Sequence, residues 1–129
     1  MKYMLMMMVP YGAGARGVAD WKPEEVKAMV SFMHDLNKDL AASGELVAAE
    51  GLDNPSQARI VRGGENGEPM VTDGPFAETK EFLAGFWIVD VPNDARAIEI
   101  AAKASMSPGP GGGPIRIPIE VRRIGEAPA

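Results

Sequence analysis

Tyr3-Met4-Leu5-Met6-Met7-Met8-Val9 is an unbroken apolar run that stops at Pro10, and its reading decides the fold. Successive residues of a strand point to opposite sides, so a strand with no polar position is greasy on both. Such a strand belongs at the centre of a sheet, with helices over one face and a partner layer over the other. Lys2 before the run and Ala13-Gly14-Ala15 after it imitate an export signal. The run is only seven residues and ends at a proline, so a buried first strand is the expectation. The methionines at 4, 6 and 8 face away from Met7 in a strand, which suits core packing better than a shared copper ion.

Beyond the strand, Gly12 to Asp20 reads as a small-residue loop. It contains Gly12-Ala13-Gly14-Ala15-Arg16-Gly17, a literal GxGxxG. In a dinucleotide site the third glycine lies inside the helix that holds the pyrophosphate. Here helical periodicity starts only after Pro23, and the acidic residue sought about twenty positions on falls at Asp35, in mid-helix. A loop is expected, and no cofactor. Pro23 with Glu24 and Glu25 opens a helix, because proline and negative charge both suit a first turn. Val26, Met29, Val30, Met33, Leu36 and Leu40 form its apolar stripe. Gly44 is the expected left-handed stop.

Further strands are expected at Glu45 to Glu50, Ala58 to Arg62 and Pro69 to Thr72, the last two joined by Gly63-Gly64-Glu65-Asn66-Gly67 as a hairpin turn. Phe82 to Val91 is a strong strand in which Gly85 marks a bulge or a close backbone approach. Asn93 caps a second helix reaching about Ala104. Pro108 to Pro114 contains only glycine and proline. Ile115, Ile117, Ile119 and Val121 alternate with Arg116, Pro118, Glu120 and Arg122, a last strand that Pro118 places at an edge or a bulge. The order is β-α-β, a hairpin, then β-α-β. That is the split, ferredoxin-like α+β arrangement, with two helices on one face of an antiparallel sheet. Nothing in the chain covers the other face, so a homodimer is expected.

Length and composition agree with one domain spanning residues 1–129. The chain has 129 residues, 46% apolar and 24% charged, which is ordinary globular composition. Eighteen acidic residues against 13 basic give a net charge of −5, which argues against direct nucleic-acid binding and against an anionic membrane surface. No stretch approaches the ~20 apolar residues of a membrane span. The absence of cysteine excludes disulfides, thiolate metal sites and cysteine nucleophiles, and fits a cytoplasmic location.

Candidate chemistry is sparse. His34 is the only histidine and sits beside Met33 and Asp35 on the first helix, off the centre of the stripe. With no second histidine, no metal site is expected. The segment Thr72-Asp73-Gly74-Pro75-Phe76-Ala77-Glu78-Thr79-Lys80-Glu81 carries the most information. Asp73 is expected to make an Asx-type turn and Phe76 to anchor in the core. The loop then serves either as a rigid connector or as a mount for Asp73 or Glu78 as proton carriers.

That segment, followed by Phe82-Leu83-Ala84-Gly85-Phe86-Trp87-Ile88-Val89-Asp90-Val91-Pro92, resembles the DGPF-motif branch of the YCII-related proteins. Met1 to Leu5, Asn37 to Gly51 and Ile119 to Arg122 are similar to the same family. The resemblance implies a dimeric α/β-barrel of ferredoxin-like protomers. It also implies a histidine on the first helix, within a residue of His34, paired with an aspartate before a proline after the second helix. This chain has Ser107-Pro108 there, so an orienting carboxylate would have to be Asp73 or another group. Relatives linked to sigma-factor-like genes imply a role around transcription initiation. Two functions follow as expectations. One is binding or acid–base conversion of a small organic molecule, with His34, Asp73 and Glu78 as the working residues. The alternative is a non-catalytic accessory module that binds a protein partner. The sequence alone does not decide whether the protein is an enzyme.

Overall fold

The computed structural model describes residues 1–10, 20–76 and 78–127. The glycine-rich stretch Gly12 to Gly17 lies outside them. Strand β1 (Lys2–Pro10) is the centre of a four-stranded sheet, as its two-sided apolar pattern requires. The other strands of this sheet are β2 (Leu46–Gly51), β5 (Glu81–Asp90) and β6 (Ile119–Arg123); a separate hairpin comprises β3 (Arg59–Gly63) and β4 (Pro69–Asp73). Sheet order is β2-β5-β1-β6, with every neighbouring pair antiparallel. With helices α1 (Pro23–Ala42) and α2 (Asp94–Ser105), this is an α+β fold compatible with the ferredoxin-like arrangement.

The core lies between the sheet and the helices. Tyr3, Leu5, Trp87 and Val89 meet Leu36 and Leu40 of α1 and Ala97, Ile100, Ala101 and Ala104 of α2. Cross-strand register places Ala48, Ile88, Met4 and Arg122 in one row of the opposite face, and Glu50, Phe86, Met6 and Glu120 in the next. Met4, Met6, Phe86 and Ile88 are only half-buried there and belong to no buried cluster.

Local signals account for several joints. Gly44 takes φ +78° directly after α1, where a side chain would be strained. Asn93 accepts a hydrogen bond from Arg96 N–H at 3.0 Å and so caps α2. At Gly85 a Cβ would sit 2.9 Å from the Glu50 carbonyl oxygen, beside the register shift between Met7 and Met8. Gly67 supplies φ +80° in the hairpin turn.

Four expectations need correction. The last strand begins at Ile119, not Ile115. Residues 115–117 are zipped onto the end of α2 instead, through Ile115 N–H to Ser107 O, Arg116 N–H to Ser105 O and Ser105 Oγ–H to Ile117 O. Arg116, at φ +54°, breaks the extended run, and Pro118 offers β1 only its carbonyl, to Met8 N–H at 3.5 Å. On α1 the stripe is rotated: Phe32 packs against the core while Val30 is 41% exposed. Phe76 is 61% exposed rather than anchored in the core, because its loop follows a hairpin that makes at most slight contact with any other element. Asp73 continues strand β4 opposite Arg59, so its carboxylate faces that guanidinium (3.7 Å) instead of closing an Asx turn.

Candidate functional site

The three residues singled out for acid–base work are not gathered by the protomer. His34 lies on α1 and is exposed. Asp73 ends β4 with its side chain 92% exposed and faces Arg59 at 3.7 Å. Glu78 is exposed in the loop before β5. None of the three lines either of the two main grooves among the described residues. Acid–base work on one substrate needs its groups within reach of that substrate, and within the protomer these three are not brought to one concave surface. Among the described residues no cluster of three or more His, Asp or Glu side chains could hold a metal ion.

Sequence reasoning passed over the polar contacts that the fold does assemble. Arg96 of α2 grips Glu45, which precedes β2, through Nε (2.7 Å) and Nη2 (2.9 Å), and reaches Glu99 through Nη1 at 3.1 Å. The Arg96 guanidinium, helped by the Ser43 hydroxyl, holds the Glu45 carboxyl down at about 2. Glu45 and then Glu99 in turn raise the proton affinity of Arg96. This clamp lies along the smaller groove, where α1 and α2 approach through Leu40 and Ile100. The Trp87 indole N–H donates to Asn37 Oδ1 at 2.8 Å and fixes the sheet under α1. Partners 50 and 51 residues apart leave no spacing signal in the chain.

The glycine-proline loop is tied down as well. Gly111 N–H and Lys22 N–H both donate to the Glu25 carboxylate, and these amides, Lys22 first, hold it below its usual value. Ser107, standing where the resemblance implies an aspartate, is 1% exposed and its hydroxyl has no hydrogen-bond partner among the described residues. A serine hydroxyl carries no charge near neutral pH, so Ser107 does not supply the carboxylate that the resemblance implies.

The larger groove, about 520 Å³ and open to solvent, lies between the start of α2 and the β1–β6 pair. Tyr3, Asp94, Ile98, Val121 and Arg123 line it. Tyr3 and Arg123 are register partners and so share the helix-side face of the sheet. Among the described residues the groove brings together a phenol, a carboxylate and a guanidinium, with no histidine, cysteine or serine beside them.

Comparison with known proteins places the chain in a family. The model of the YCII-related domain matches residues 1–108. An uncharacterised protein of Rhizobium meliloti, R00369, is 31% identical over 110 residues, covering 84% of this chain and 87% of that protein. No helix among the described residues is long and apolar enough to cross a membrane. From its first strand to the end of its second helix, this chain belongs to the YCII-related domain family.

Proposed function

We propose that this protein is a member of the DGPF-motif branch and works in the cytoplasm as a homodimer, its two sheets packed face to face as an α/β-barrel that binds a small organic molecule. The observation that carries the reading is the uncovered sheet face, where Met4, Met6, Phe86 and Ile88 stay half-exposed on the two central strands. A second copy offers the same apolar rows, and burying them is favourable at about 25 cal/mol per Å². Ligand binding rests on analogy with barrels of this shape. Acid–base conversion by His34, Asp73 and Glu78 would additionally require the second copy to bring those groups together.

Sedimentation at micromolar concentration tests the first half. The protein should run as a dimer, and Ile88→Arg should run as a folded monomer; a monomeric wild type would overturn the reading. Thermal shift against a broad metabolite library tests the second half, since a ligand that binds only the folded state raises its melting temperature. No shift across the library would overturn it.

A second reading, the accessory module, is favoured by the hairpin. Val61, Met70, Val71 and Phe76 are all more than half exposed there, an apolar grouping suited to a protein partner. A net charge of −5 repels the phosphates of DNA, so a role around transcription would run through a protein partner.

A further inference from the structure

We propose that the groove at the start of α2 is a binding site for a small zwitterion of the α-amino acid type, with Tyr3 and Arg123 receiving the carboxylate and Asp94 the ammonium group.

Tyr3 is the first observation. It is only 6% exposed, it lines the groove, and its hydroxyl has no hydrogen-bond partner among the described residues. The hydroxyl is not sealed from water, so it reaches the open side of the groove and is free to bond a ligand there.

Arg123 and Asp94 are the second. They carry opposite charges and line the same groove, yet they form no ion pair with each other or with any other described residue. A guanidinium accepts a carboxylate in two parallel hydrogen bonds. A ligand that bears both charges can satisfy the two residues at once, which neither a simple anion nor a simple amine can do. Asp94 is also the first residue of α2, where its carboxylate is well placed against the positive end of the helix and stays charged to meet an ammonium group. Ile98, 55% exposed, and Val121 give an apolar wall for the ligand's side chain. The site therefore favours an aliphatic amino acid over a charged one.

The groove opens on the helix side of the sheet, so it does not depend on dimerisation. Ile88→Arg should leave it intact, and this separates failure of the site from failure of the barrel.

The test is a titration of the full chain with L-leucine, followed by amide chemical shifts. Shifts at Tyr3, Ile98 and Arg123 should saturate with a dissociation constant in the millimolar range or below, as expected for an open site. Isocaproate, which lacks the amine, and isoamylamine, which lacks the carboxylate, should each bind at least about fivefold more weakly. Tyr3→Phe keeps the ring in the core and should weaken leucine about fivefold. Arg123→Gln and Asp94→Asn, both at exposed positions, should weaken it by about tenfold or more. The proposal is overturned if leucine shifts fail to saturate by about 10 mM, if isocaproate binds as well as leucine, or if Arg123→Gln and Tyr3→Phe bind unchanged.

Discussion

On the helix-covered side of the sheet, Tyr3, Leu5, Trp87 and Val89 are at most 6% exposed. On the other side Met4, Met6, Phe86 and Ile88, drawn from the same two strands, stay half-buried. Both faces are apolar by composition, so hydrophobicity along β1 and β5 does not distinguish them. Cover does. Two helices close one face, while the other keeps side chains of core character in contact with water. The lesson is that a strand pattern reports what a face is fit for, and the rest of the chain decides whether that fitness is used within one protomer.

The largest expected effect breaks the contrast directly. Leu5→Ala removes a fully buried side chain between sheet and helices and should cost about 3 kcal/mol in urea unfolding. Met6→Ala, one position along on the open face, should cost about 1 kcal/mol in dilute protein. If the open faces pair, that cost should grow with protein concentration, because dimerisation stabilises the wild type by mass action. Equal costs for the two variants under dilute conditions would mean that the faces are covered alike.

Gly85→Ala should cost about 2 kcal/mol, since the added methyl meets the Glu50 carbonyl and the β2–β5 pair has to yield. It sharpens the comparison because the clash is between strands and depends on neither face.

Glu45→Gln tests how firmly the helix layer is fastened. At neutral pH it should cost about 1 kcal/mol, a modest value because Arg96 is 39% exposed and water screens the pair. The folded carboxyl lies at about 2 against an ordinary 4.5, so the contribution is present above pH 4.5 and fades as pH falls from there toward 2. Stability curves of wild type and variant should therefore converge in acid; a constant gap down to that range would assign the loss to packing.

The smallest effect belongs to Ser107→Ala. Removing a buried hydroxyl that has no partner should leave stability within about 0.5 kcal/mol of wild type or raise it slightly. A marked loss in thermal unfolding would show that a hidden partner, such as a trapped water, satisfies the hydroxyl.

Much of the architecture was legible because it is written locally. Strand β1, the stop at Gly44, the cap at Asn93, the tight passage at Gly85 and the glycine turn of the hairpin each need only a few neighbouring residues to be recognised. What went astray depends on distant partners. The alternation from Ile115 to Val121 is a sound strand pattern, but hydrogen bonds to Ser105 and Ser107 captured its first half. Phe76 looked like an anchor, yet it is 61% exposed among the described residues. The candidate site was less legible still. His34, Asp73 and Glu78 stood out as residue types, whereas Tyr3, Asp94 and Arg123 come together only through strand register and the placement of α2. Nothing in the spacing of 3, 94 and 123 announces a groove.

The early departure of residues 115–118 from the sheet has a further effect. β6 pairs with β1 from Tyr3 to Met7 and the Pro118 carbonyl still takes Met8 N–H, so among the described residues only Val9 and Pro10 of this central strand lack a neighbour on that side. Bare flanks invite foreign strands and, through them, fibrils. Here Pro10 closes the flank at the strand's end and Pro118 stands where β6 turns away, and neither has an amide proton to give an intruder. Two prolines thus take amide donors away where the middle strand is least covered.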